Sequence, residues 1–164
     1  MARWLDTLIG GWDLGGLWIW ESGSPFTVSS GFATGPGTAN TFADYTGSRN
    51  IGGISTSPLG PGVYYFTPSQ IANFAEPVAG TYGTSGRNTF RGPGFFNVDT
   101  SLVKHFAIAE HKSLTFRGEA YNLLNNVDFA NPSVTLSGAK VAFGRISSVV
   151  NNPRIIQLAL RMDF

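Results

Sequence analysis

From Arg154 to Phe164 every second side chain is apolar. Ile156, Leu158, Leu160, Met162 and Phe164 share one face of an extended chain, and Ile155, Gln157, Ala159, Arg161 and Asp163 alternate with them. Successive side chains of a strand point to opposite faces, so this pattern commits the segment to a sheet with one greasy and one polar side. Three more segments carry the same period. Between 11 and 21, Trp12, Leu14, Gly16, Trp18 and Trp20 face one way. Between 94 and 106, Phe96, Val98, Thr100, Leu102 and Phe106 do so, with Lys104 near the end of the stripe. Between 113 and 124 the stripe is Leu114, Phe116, Gly118 and Ala120. The expected strands are therefore 11–21, 94–106, 113–124 and 154–164, and the fold class is all-β.

The connections are unequal. A short turn, 107–112, joins the second strand to the third, whereas 22–93 and 125–153 are long and rich in Gly, Ser, Thr, Asn and Pro. Such long loops are uncommon in a compact soluble domain. A transmembrane barrel expects them, with short turns on the periplasmic side and long loops outside. If the four strands run alternately up and down, both long loops fall on the upper side. The short turn and Phe164 fall on the lower side. Within the first loop, Ser24–Val28 reads as extended and a smaller hairpin is allowed for.

A strand crossing hydrocarbon satisfies its backbone through its neighbours, and only its outward side chains need be apolar. Segments of about 10 residues suffice when tilted. A charge on the lipid side costs roughly 2–4 kcal/mol at mid-depth. The stripes accordingly assign Trp12, Trp18, Trp20, Phe96, Phe116 and Ile156 to lipid. Asn97, Asp99, Arg117, Glu119, Arg161 and Asp163 fall on the opposite, lumen-facing side. The competing reading is a soluble or secreted β-sandwich acting as a binding module, whose strands alternate in the same way. The long one-sided loops, the three Trp on one face of the first strand and the aromatic terminus weigh against it.

Composition narrows the rest. Charged residues make up 13% of the chain, about half the ~25% usual in soluble domains. A net charge of +1 gives no electrostatic case for nucleic acid. The absence of Cys excludes disulfides and thiolate metal sites. No apolar run reaches the ~18 residues of a transmembrane helix. The opening MARWLDTLIGGWDLGG lacks the layout of a secretory signal, so export would need sequence upstream of Met1.

Four stretches carry a family resemblance. Residues 10–28, GGWDLGGLWIWESGSPFTV, resemble a late barrel strand of Oar-like TonB-dependent outer-membrane transporters. Residues 65–106, from YFTPSQ to LVKHF, resemble their next outer loop and descending strand. Residues 114–133, LTFRGEAYNLLNNVDFANPS, resemble the following ascending strand with its Asn-rich exit. Residues 143–164, FGRISSVVNNPRIIQLALRMDF, resemble the closing strand. The likeness covers nearly the whole chain and keeps its order.

The resemblance implies barrels of about 22 strands with a plugged lumen. Such barrels take up scarce nutrients or iron chelates in the outer membrane of a Gram-negative bacterium. It implies that Leu158, Leu160, Met162 and Phe164 form the signal read by the barrel-assembly machinery. It also implies outer-membrane lipid as a partner, and TonB as one reached only through regions this chain lacks. The chain is then a C-terminal section of four strands, with two exposed sheet edges, inactive in transport by itself.

No catalytic, cofactor or metal site is expected, and the chain does not read as an enzyme. His105 lies on a strand and His111 in the tight turn, without a shared face. Gly83–Asn88 looks like a phosphate loop but lacks the Lys and following helix of one, and reads as a flexible outer loop. Arg87 and Arg91 beside Gly92-Pro93-Gly94 suit a turn into a strand better than a ligand vestibule. Asp99, Arg117, Glu119, Arg161 and Asp163 are scattered, with no nucleophile to activate. Trp4, Trp12, Trp18 and Trp20 read as interface-belt residues rather than a sugar platform.

Overall fold

The computed structural model describes residues 9–35, 40–56, 60–136, 140 and 142–164; Trp4 lies outside them. In chain order the strands are β1 (Trp12–Glu21), β2 (Pro25–Phe26), β3 (Asp44–Tyr45), β4 (Ser55–Thr56) and β5 (Val63–Tyr64). A short helix, α1 (Pro68–Ala72), is followed by β6 (Phe74–Ala75), β7 (Phe90–Arg91), β8 (Phe95–Ala109), β9 (Lys112–Tyr121), β10 (Arg145–Ile146) and β11 (Ile155–Asp163). The fold is all-β. It divides into a unit of long strands (1–20, 96–127, 151–164) and a unit of loops (21–95, 128–150).

The long strands form one sheet in the order β1-β8-β9-β11, which is their order along the chain. The pairs β8/β9 and β9/β11 are antiparallel. Gly11 lies against His105, Gly15 against Ser101 and Gly16 against Asp99, so β1 and β8 also run antiparallel. β8 extends to Ala109, past the expected 106, with a register shift between Ala107 and Ala109 before the turn at 110–111. β9 stops at Tyr121 rather than 124. The cause is Asn122, whose φ of +49° is left-handed and breaks the extended conformation.

The register aligns the four stripes. Leu102, Gly118 and Leu158 stand in one row; Lys104, Phe116 and Leu160 in the next; Phe106, Leu114 and Met162 in a third. No second layer covers this face among the described residues: Trp18 is 79% exposed and Leu158 67%. A β-sandwich would have buried them in a shared interior.

The loop unit has its own core. Phe26, Phe66, Phe74, Phe90 and Phe143 are buried with Val28, Leu136, Ile71 and Ile146. Their rings meet at centroid separations such as 5.4 Å for Phe74–Phe90 and 5.0 Å for Phe74–Phe143. Small sheets β10-β5-β4, β2-β7 and β3-β6 surround them. Helix α1 starts at a capping box. The Gln70 N–H donates to the Thr67 hydroxyl and the Thr67 N–H to the Gln70 side chain, with Pro68 opening the first turn. Gly23 is required by packing, since a Cβ there would come within 1.7 Å of the Gly92 carbonyl oxygen.

Gly83–Asn88, read from the sequence as a flexible outer loop, is hydrogen-bonded into the loop unit. Ser85 is buried and its hydroxyl donates to the Val28 carbonyl. Its N–H donates to the Ala43 carbonyl at 2.9 Å, and the Asn88 N–H donates to the Thr27 hydroxyl at 2.8 Å. Ser85 thus anchors the segment inward, while Thr84, Arg87 and Asn88 stay exposed.

Candidate functional site

The feature with functional meaning is the two-sided sheet. Its even-numbered face carries Trp12, Leu14, Trp18 and Trp20 on β1, Phe96 to Phe106 on β8, Leu114 and Phe116 on β9, and Ile156 to Met162 on β11. The residues assigned to lipid thus share one face. Trp12 joins it through Lys104, whose Nζ lies 5.0 Å from the Trp12 ring centroid.

Lys104 is a charged residue within that face, as is the exposed Lys112 at the start of β9. Although charged, Lys104 is only 1% exposed. Its ammonium donates to the Gly10 carbonyl and sits over the rings of both Trp12 and Phe106, the latter at 5.3 Å. A carbonyl and two ring faces supply the partners that hydrocarbon would withhold.

The odd-numbered face holds all six residues assigned to the lumen, and each finds a partner on its own strand two positions away. Asn97 donates to Asp99 at 2.8 Å, Arg117 to Glu119 at 2.6 Å, and Arg161 pairs with Asp163 at 2.8 Å. Spacing of two keeps partners on one side of a strand, so the sequence already carried this pairing. Between β1, β8 and β9 a notch of about 180 Å³ opens on the same face, lined by Gly15, Leu17, Asp99, Ser101, Glu119 and Tyr121. Glycine at 15 leaves this space.

Sequence reasoning missed an array on that face. His105 Nε2 lies 3.2 Å from the Asp13 carboxylate and its Nδ1 lies 3.2 Å from the Thr115 hydroxyl. These residues come from three strands, so only the register brings them together. The order carboxylate–imidazole–hydroxyl resembles a nucleophile relay. β8 and β9 are each paired on both sides, so their N–H groups serve the ladder and do not form an oxyanion pocket. The array therefore reads as a cross-strand tie. His111 sits in the turn, away from it.

At the end of the sheet away from the tight turn, Asn122 forms a clasp. Its N–H donates to Asp99, and its side-chain amide donates to the carbonyls of Asn126 and Asn152, at 2.8 and 2.9 Å. Asn126 in turn donates to the Phe96 carbonyl, and Asn151 to the Asn126 carbonyl. The Asn-rich exit thus holds the ends of β8 and β9 and the approach to β11 together.

The chain matches the outer membrane beta barrel domain over residues 2–157. It belongs to that family. None of the curated proteins and none of the solved structures matches it. In such a domain every backbone group of a spanning strand is satisfied by the neighbouring strands. No helix among the described residues is long and apolar enough to cross a membrane, which leaves crossing by strands untouched. The terminal residues Leu158, Leu160 and Met162 lie on the even face of β11. Phe164, just past the strand, is 91% exposed. Arg91 lies in β7 and donates to the Gly23 carbonyl at 3.2 Å, so it is engaged in the loop unit.

Proposed function

We propose that this chain is a C-terminal section of the wall of a TonB-dependent transporter in the outer membrane of a Gram-negative bacterium. The observation that carries the reading is the alignment of four alternating stripes into one exposed apolar face opposite a face of paired polar groups. A lipid partner explains that face, since water would tolerate so large a contiguous apolar patch poorly. The resemblance of the closing strand and the Asn-rich exit to Oar-like transporters supports the finer assignment. On this reading the exposed Phe164 and the stripe above it engage the barrel-assembly machinery. TonB acts through regions outside this chain. The section does no chemistry of its own, and the transported ligand is a nutrient or iron chelate.

Brominated lipids test the lipid contact. They should quench Trp18 and Trp20 in the refolded chain, and a Trp18→Phe, Trp20→Phe variant should lose most of that quenching. A water-soluble monomer that shows no quenching overturns the reading. Uptake by the full-length protein in cells with and without TonB tests the transporter assignment separately. Uptake that persists without TonB sinks that part alone.

A further inference from the structure

The two long loops are interleaved within their unit. Ser29, from the first loop, donates its N–H to the Val134 carbonyl at 3.0 Å and accepts at its own carbonyl from Leu136 N–H at 2.8 Å, both from the second. β5, from the first loop, is paired on one side by β4 and on the other by β10, from the second. The Tyr65 N–H donates to the Gly144 carbonyl at 2.8 Å, and Lys140 Nζ to the Phe74 carbonyl at 2.6 Å.

The cores are shared as well. Phe143 is 1% exposed and its ring stacks on Phe66 at 5.4 Å. Leu136 is fully buried in the same cluster. Removing the second loop would leave Phe66 and Phe74 facing a void and β5 without one neighbour. Removing the first would strip Phe143 of the Phe66 and Phe74 rings it packs on. Neither loop has a complete core alone.

We propose that residues 21–95 and 128–150 act as a single folded body that opens collectively, not as two independent loops. A ligand meeting this unit then encounters a preformed surface to which both loops contribute. The physical ground is cooperativity: elements sharing one core and one set of backbone ladders unfold together. The proposal does not depend on what the protein transports.

Trypsin cleavage of the full chain along a urea series is the test. Exposed Arg87 reports on the first loop and exposed Arg145 on the second. Both should become cleavable at one urea concentration, and Phe143→Ala should move both thresholds down together. Val149→Ala, at a half-exposed position, should move neither. Separate thresholds in the unaltered chain would overturn the proposal. So would a Phe143→Ala variant that exposes Arg145 while leaving Arg87 protected. If that variant fails to assemble, the thresholds of the unaltered chain decide alone.

Discussion

The side-chain amide of Asn122 donates to the carbonyl of Asn152 at 2.9 Å, across 30 positions of chain. One residue thereby closes β9, in a left-handed conformation, and holds the approach to β11, which arrives after the whole second loop. The bond fixes where the closing strand enters the sheet without depending on the length of that loop.

Asn122→Ala should therefore destabilise the sheet by about 2–4 kcal/mol, from the lost hydrogen bonds of a buried side chain and an unfavourable φ. Asn122→Gly should recover the φ part only and fall between the two. Urea unfolding of the refolded protein in lipid measures both. Equal losses for Ala and Gly would show that conformation contributes nothing.

Charge should discriminate between the faces. Leu158→Arg places a cation on the even face and should cost roughly 2–4 kcal/mol in lipid. Gln157→Arg, one position away and opposite Glu119, should be close to neutral. Refolding yield and unfolding midpoint in vesicles provide the comparison. A similar penalty at both positions would remove the basis for assigning lipid to either face.

Alkaline pH should loosen the loop unit. Burial raises the phenols of Tyr65 and Tyr45 above their ordinary value of about 10. The folded unit holds these protons more tightly than the unfolded chain does. Their contribution to stability is thus complete below about pH 10 and is lost as pH rises from there through the raised folded values. Protease protection of the loops, followed together with tyrosinate absorbance, should fall in that window. Tyr65→Phe should weaken the dependence, and an unchanged profile in that variant would exclude Tyr65 as its source.

Gly23→Ala should disrupt the β2/β7 pair, because the new methyl would collide with the Gly92 carbonyl, a backbone atom that cannot swing away. Cleavage after Arg91 reports it, and full protection in the variant would show that the backbone yields at little cost.

Much of the sheet was legible because alternation is a local signal. Each long strand announced itself in its own residues, and the even spacing of Arg117 with Glu119 and Arg161 with Asp163 carried their pairing. The helix at Pro68–Ala72 has a local signature too, the Thr67-Pro68-Ser69-Gln70 capping pattern, inside a loop where the sequence reading allows only for a smaller hairpin. The loop core was hidden for a different reason. Phe26, Phe66, Phe90 and Phe143 have no common period, since irregular chain brings them together through contacts distant in sequence.

Alternation along each strand determined, by itself, that this chain has an apolar and a polar side, because strand geometry sends neighbouring side chains to opposite faces. Only the tertiary structure decided that the four apolar stripes fall in register on one face. It also decided that His105 meets Asp13 and Thr115, and that Lys104 is sheltered by Trp12. A slip of one residue between strands would reverse every one of those relations. The register is held by pairings, turns and clasps between residues far apart in the chain.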